Sequence, residues 1–338
     1  MRQLRRILWP IVQALVTVAL IAWIVRRNNP GAVAHHLQVM NPWWMALAIG
    51  VMFASILLGT WQWACLLSAQ GIHLTRLRLL RAYCLGMFLN FVLPSGVGGD
   101  VVRAVQIHKH AQAGTRGVAA TLLDRFAGLF TLALFASVAS WLLVAKQSDP
   151  LFSKLAWGSG FVSLAFCVAS LVLFSRRVVG WISPMARILG EGKLLDKARD
   201  LRSSFLLYRD EPGVVVRVVA LSVATQFLRL IVHWCAARAL GLPLDFAWIL
   251  LFIPVVSLIA IVPVSVGGWG LREGAQKTFF SYPGVMPGLA TDAAISGSLA
   301  LALVTSFLGM LTPALAGLVL GIVLSWRNTN VKSQEVET

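Results

Sequence analysis

Acidic residues are scarce here: 13 Asp and Glu stand against 29 Lys and Arg, and charged residues of all kinds make up only 12% of the 338 residues. With so little charge to face water and a mean hydropathy of +0.79, a soluble globular domain is excluded. Cysteine is nearly as rare. Cys65, Cys84, Cys167 and Cys235 stand singly in apolar runs, which reads as small core residues and not as a disulfide framework or thiolate metal site. Catalytic signatures are missing too. The sequence has no Asp-x-Asp pair for Mg²⁺ and a nucleotide sugar, no G-x-S-x-G elbow, no H-E-x-x-H and no Walker loop. Neither catalytic residues, a metal nor a cofactor is therefore expected. The net charge of +16 would suggest nucleic acid in a soluble chain. Here the basic residues flank apolar runs, where the positive-inside rule and anionic lipid account for them, and no nucleic-acid partner is expected.

What is abundant is hydrophobic residue, 58% of the chain. The reading is an all-α polytopic integral membrane protein with about eight hydrophobic segments. Six are spans, at residues 7–25, 43–69, 117–145, 155–174, 214–240 and 289–324, the last being either one bent helix or two short ones. Two are re-entrant or broken elements. Residues 82–93 are too few to cross a bilayer, and 246–262 form either a re-entrant arm or a minimal span. Arg76, Arg78 and Arg81 fall in the short loop before the first of these.

The polar segment 175–213 carries eight basic residues against five acids, which places it and the N-terminus in the cytoplasm. Within it Leu194, Ala198, Leu201, Phe205 and Tyr208 recur at helical spacing, as in a basic amphipathic helix lying on the membrane. A bacterial-type plasma (inner) membrane is the expected location.

One motif occurs twice. Pro94-Ser-Gly-Val-Gly98-Gly99-Asp100-Val-Val-Arg103 returns as Pro263-Val-Ser-Val-Gly267-Gly268-Trp269-Gly270-Leu-Arg272 half a chain later. Both read P-x-x-V-G-G-x-x-x-R, the mark of an internal duplication. Three full spans separate the copies, and an odd number inverts the second, as in transporters built from inverted repeats. On this reading residues 1–326 form one transmembrane domain. Its halves cover roughly 43–174 and 214–326, joined by 175–213 and followed by a polar tail at 327–338.

Candidate substrate-binding residues follow. Gly98, Gly99, Gly267, Gly268 and Gly270 allow close backbone approach and expose N–H groups where helices begin. Arg103 and Arg272 offer planar forks to a phosphate. Asp100, Asp124, Arg125 and Glu273 are ionisable groups in or beside apolar segments, costly there unless paired or wetted. Ser222, Gln226, Arg229 and His233 fall on one face of the 214–240 span, and a polar stripe with Arg229 near mid-span reads as the lining of a pathway. A bland reading stands beside these: glycines that pack helices closely, and arginines that snorkel to headgroups.

Three stretches together resemble the lysylphosphatidylglycerol synthase transmembrane-region family, also described as flippase-like. They are Asn90, Pro94, Gly98, Gly99, Asp100 and Arg103; Asp124, Arg125 and Gly128; and Pro263, Gly267, Gly268, Gly270 and Glu273. The resemblance implies a lipid-handling membrane protein. Two-domain members add a soluble aminoacyl-transferase domain, whose activity is not expected of this chain. The expected function is movement of an anionic phospholipid or lipid-linked intermediate between leaflets, with membrane lipids as partners. The alternatives are an intramembrane enzyme acting on a phospholipid or polyprenyl-phosphate headgroup, and a non-catalytic partner of a lipid-modifying enzyme.

Overall fold

The computed structural model describes residues 15–19, 22, 30–93, 98–111, 114–145, 149–174, 200–201, 203–262 and 264–336, the side chains of 110 and 327–336 excepted. Regular structure among them is helical throughout: α1 (Pro30–Gln38), α2 (Pro42–Ala69), α3 (Arg76–Val92), α4 (Gly98–Ala111), α5 (Gly114–Val144), α6 (Pro150–Phe174), α7 (Pro212–Ala239), α8 (Phe246–Ile259), α9 (Leu271–Phe280) and α10 (Thr291–Val336). Short 3₁₀ turns lie at Tyr208–Asp210 and Val266–Gly268. The protein is thus an all-α polytopic membrane protein. Helices α2, α5, α6, α7 and α10 are long and apolar enough to cross a membrane, and they coincide with five of the six expected spans. The remaining span, 7–25, lies largely outside the described residues, as does most of the segment 175–213; Pro94 and Pro263 lie outside them too. α10 is a single helix where one or two were possible, and it runs through most of the stretch read as a tail.

Local chemistry explains where these helices begin. The Asn41 side-chain oxygen accepts the Trp43 and Trp44 N–H groups at 3.0 and 3.4 Å, and Asp149 accepts that of Leu151 at 2.7 Å. Each is followed by proline at the first helical position, where a missing N–H leaves no bond unmade. α3 starts earlier than expected and takes in Arg76, Arg78 and Arg81. Arginine is a good helix former, so those three residues extend the helix and do not form a loop. α3 ends where proline dictates: Leu93 is extended at φ −82°, ψ 142°, the conformation favoured before Pro94. At 1.5 Å per residue α3 is about 25 Å long and α8 about 21 Å, both short of a hydrocarbon core of roughly 30 Å.

The chain divides into two compact units. The first comprises Met1–Thr60, Leu74–Arg103 and Phe227–Thr338, the second Trp61–His73 and Ala104–Gln226. In the first, α10 packs against α1, α3 and α9, and α8 packs against α9. Ala48, Met52, Val232 and Cys235 form a core there with Trp44, Met87, Trp234 and Leu308 around it. Both motif copies belong to this unit.

In the second unit α5 buries Ala119, Ala133 and Ala136, while Phe161, Leu164 and Leu171 of α6 face outward. Small residues inside and large apolar ones outside suit helices that meet by close contact in lipid. Phe126 and Phe130 pack on Phe166, Ser140 and Ser159 hydroxyls meet at 3.1 Å, and Trp63 donates to the Thr121 hydroxyl at 3.2 Å.

The second unit also corrects the surface-helix expectation at its C-terminal end. Phe205 and Tyr208 are buried in protein. The Tyr208 hydroxyl donates to the Leu66 carbonyl at 2.9 Å, and the Gln70 amide donates to the Ser204 carbonyl at 2.6 Å. With its phenol bonded, tyrosine can leave water at little cost. Leu194 and Ala198 lie outside the described residues.

Candidate functional site

α3 is the element on which the first unit's polar residues converge. In the first motif copy Gly99 comes so close to α3 that a Cβ would collide with the Gly86 carbonyl. Gly86 in turn leaves room for the Arg103 side-chain stem, and the Gly99 N–H donates to the Asn90 side-chain oxygen at 2.9 Å. Arg103 is buried, lies 4.4 Å from the centre of the Tyr83 ring and pairs with Asp100 at 3.5 Å. That distance is long for a charge-assisted bond.

The second copy reaches α3 by a different backbone. Gly267, Gly268 and Gly270 have φ of 57°, 79° and 82°. A Cβ on Gly267 would strike the Phe91 carbonyl, and the Trp269 indole N–H donates to that same carbonyl at 3.2 Å. α9 then starts at Leu271. Glu273, its third residue, is buried. It accepts the Gly270 N–H at 2.6 Å, the helix-capping half of a capping box, and also the Ser306 hydroxyl at 2.6 Å. Arg272 lies 4.9 Å from the centre of the Phe91 ring. Both motif arginines therefore stand over an aromatic ring of α3. Thr17, from the first hydrophobic segment, closes this turn by accepting the Val266 N–H at 2.8 Å.

Arg229, on α7, is the third cation. It and Arg272 are both half-buried, and both charges lie within electrostatic range of His233. The His233 Nδ1 meets the Arg229 carbonyl at 2.8 Å. A carbonyl only accepts, so Nδ1 carries the proton and Nε2 is left as an acceptor in the neutral ring. Neither Arg229 nor Arg272 forms an ion pair among the described residues, and the Arg229 Nε has no hydrogen-bond partner among them. Glu273, adjacent to Arg272 in sequence, already holds two donors.

Several expectations change. Ser222 bonds the Thr131 hydroxyl at 2.9 Å and Gln226 the Gly128 carbonyl at 3.3 Å. The N-terminal half of the α7 stripe therefore fastens α7 to α5 within the second unit, as polar side chains do between helices in lipid; only Arg229 and His233 retain the lining reading. Asp124, buried, and Arg125, half-buried, lie on α5 in the second unit. Glu273 and Asp100 are partners of their own motif copies. Sequence reasoning missed Tyr83, Phe91 and Ser306. Tyr83 was the findable one, since the chain has three tyrosines and this one sits in an apolar run; nothing distinguishes Phe91 or Ser306 before folding.

Comparisons with known proteins cover the whole architecture and not just the motifs. A UPF0104 membrane protein of the archaeon Methanothermobacter thermautotrophicus is 24% identical over 305 residues, which is 83% of this chain and 88% of its own. A UPF0104 membrane protein of Pyrococcus horikoshii is 21% identical over 264 residues, 73% of this chain and 79% of its own. The family model for the transmembrane region of lysylphosphatidylglycerol synthase matches residues 11–309, a stretch that takes in both motif copies, four of the five helices long enough to cross a membrane and the first part of the fifth, so the chain belongs to that family.

Proposed function

We propose that this protein moves an anionic, phosphate-bearing lipid or a lipid-linked intermediate between membrane leaflets, with Arg272 and Arg229 as the phosphate contacts and Arg103 as a third. The observation that carries the reading is two half-buried arginines, from distant parts of the chain and both within electrostatic range of His233, without an ion-pair partner among the described residues. A cation held at membrane depth costs about 2.5–3.5 kcal/mol by insertion scales. An anion that visits the pair relieves this cost, and guanidinium presents the fork that phosphate accepts. His233 Nε2 adds a group able to accept from a headgroup hydroxyl. Membership of a family named for the membrane region of a phospholipid synthase supports a lipid as the cargo.

In this reading the two motif copies are inverted arms of one cavity, and the N-terminus and segment 175–213 face the cytoplasm of a plasma membrane. The protein acts without catalysis of its own, either alone or beside a lipid-modifying enzyme. Vesicles containing only the purified chain and labelled phosphatidylglycerol test it. Exchange of label between leaflets supports transport; a chemically altered headgroup indicates an enzyme; and no change in either indicates a partner role. Strong labelling of Asp196→Cys from outside intact cells would reverse the orientation.

A further inference from the structure

Away from the motif arginines, the first unit has a groove of about 680 Å³ between α3 and α10. The two helices run antiparallel along it. A Cβ on Gly317 would stand 3.3 Å from that of Cys84, one on Gly321 would stand 3.6 Å from the Arg81 Nε, and one on Gly309 would meet the Phe91 ring. The lining changes character from end to end. Phe88 and Pro313 close one end, Leu85 and Ile322 line the middle, and Arg81 and Trp326 mark the other. From Pro313 to Trp326 the groove follows α10 for about 20 Å. One leaflet of a bilayer core is roughly 15 Å deep.

A slot as deep as a leaflet, apolar at its inner end and carrying an exposed arginine beside an interfacial tryptophan at its mouth, matches the shape and charge of one lipid molecule. We infer that it holds an anionic glycerophospholipid of that leaflet, with the phosphate on Arg81 and an acyl chain against Leu85, Phe88 and Ile322. Arg81 forms no ion pair among the described residues, and Gly321 leaves the space in which its guanidinium lies across the mouth. An anionic headgroup complements that charge, and Trp326 suits the headgroup level. The site is separate from the proposed transport residues and does not depend on them; a chain that moves no lipid would still hold this one.

The test uses the full chain in phosphatidylcholine vesicles containing a minor fraction of phosphatidylglycerol with a photoactivatable acyl chain, and maps labelled peptides by mass spectrometry. Label is expected on the α3 peptide holding Leu85 and Phe88 and the α10 peptide holding Ile322. Phosphatidylcholine carrying the same chain should label these roughly tenfold less, the equivalent of one charge-assisted hydrogen bond. Arg81→Gln should bring phosphatidylglycerol down to the phosphatidylcholine level, and Arg81→Lys should retain most of the preference, because at this exposed position the charge and not a fixed fork geometry selects the headgroup. Gly321→Trp, which fills the mouth, should reduce both; if that variant does not elute as a single species, Arg81→Gln decides alone. Equal labelling by the two lipids, label spread over outward residues such as Phe161 and Leu164, or a second copy crosslinked into the groove would each overturn the inference. Arg272→Lys should label like the wild type whether or not it transports, so this site and the transport reading fail separately.

Discussion

The two copies of the P-x-x-V-G-G-x-x-x-R motif share their letters but not their backbone. In the first, Gly98 and Gly99 already belong to α4, whereas in the second the helix waits until Leu271. Alignment of the copies puts Val101 opposite Gly270. Gly270 sits at φ 82°, a conformation a β-branched residue does not adopt, so the first copy lacks the third glycine that delays the second. The acids differ accordingly. Asp100 reaches its own arginine one turn away, while Glu273 caps α9 and takes the Ser306 hydroxyl. What both copies keep is the endpoint, an arginine over an aromatic ring of α3. A repeated motif here preserves where a charge is delivered more closely than how the chain delivers it.

The largest effect should come from forcing a side chain onto the left-handed turn. Gly267→Val combines a forbidden φ, about 1–3 kcal/mol, with collision against the Phe91 carbonyl, about 1–3 kcal/mol more. Gly99→Ala meets collision alone, in helical backbone. Thermal unfolding in detergent should show Gly267→Val losing folded protein and Gly99→Ala weakened but folded; equal losses would break the comparison.

Next come the arginines. Lysine keeps the charge but not the fork, so Arg272→Lys should lose about 1.5–3 kcal/mol of phosphate interaction, roughly ten- to a hundredfold in lipid affinity. Arg103→Lys should lose less, because Asp100 already holds part of its guanidinium. Normal leaflet exchange in both variants, at normal expression, would reduce the arginines to snorkelling residues.

Ser306→Ala removes a hydrogen bond to a buried carboxylate and should destabilise the protein by about 1.5–3 kcal/mol. Asp100→Asn keeps the shape of the side chain and weakens an ion pair that is already long, so it should cost less than Ser306→Ala. A reversed order in melting temperature would mean that the first copy, and not the second, is the one locked by its acid.

The smallest effect lies outside both copies. Burial raises the Tyr208 pKa, with the Gln70 contact partly opposing it. A raised folded-state pKa leaves this contribution intact below the ordinary tyrosine value of about 10 and removes it as pH climbs through the folded-state value. Wild type and Tyr208→Phe should therefore differ by a constant offset, the lost bond to Leu66, between about pH 7 and 9. Only the wild type should steepen above about pH 10. Melting curves across that range check both.

Much of this architecture was legible in the chain. Spans follow from apolar length and the end of α3 from Pro94, because these depend on backbone sterics within a few residues; the start of α6 at Pro150, ahead of the expected 155, emerged only with the structure. The candidate cations were legible as well, since a charge inside an apolar segment costs enough to mark itself. Their surroundings were not. Ser222 and Gln226 share a helix face with Arg229 and His233, and periodicity treats the four alike; only the approach of α5, with Thr131 and Gly128, turns the first two into fasteners. Tyr208 has the spacing of a membrane-surface residue, and its burial depends on the Leu66 carbonyl, far away in sequence. Sequence by itself determined the long apolar helices and the residues that carry charge, since these are set by local sterics and by the cost of burying polar groups. Which of those charges met a partner, and that Arg103 and Arg272 each came to stand over an aromatic ring of α3, was decided by tertiary packing, because a partner is supplied by whichever distant segment the fold brings within a few ångströms.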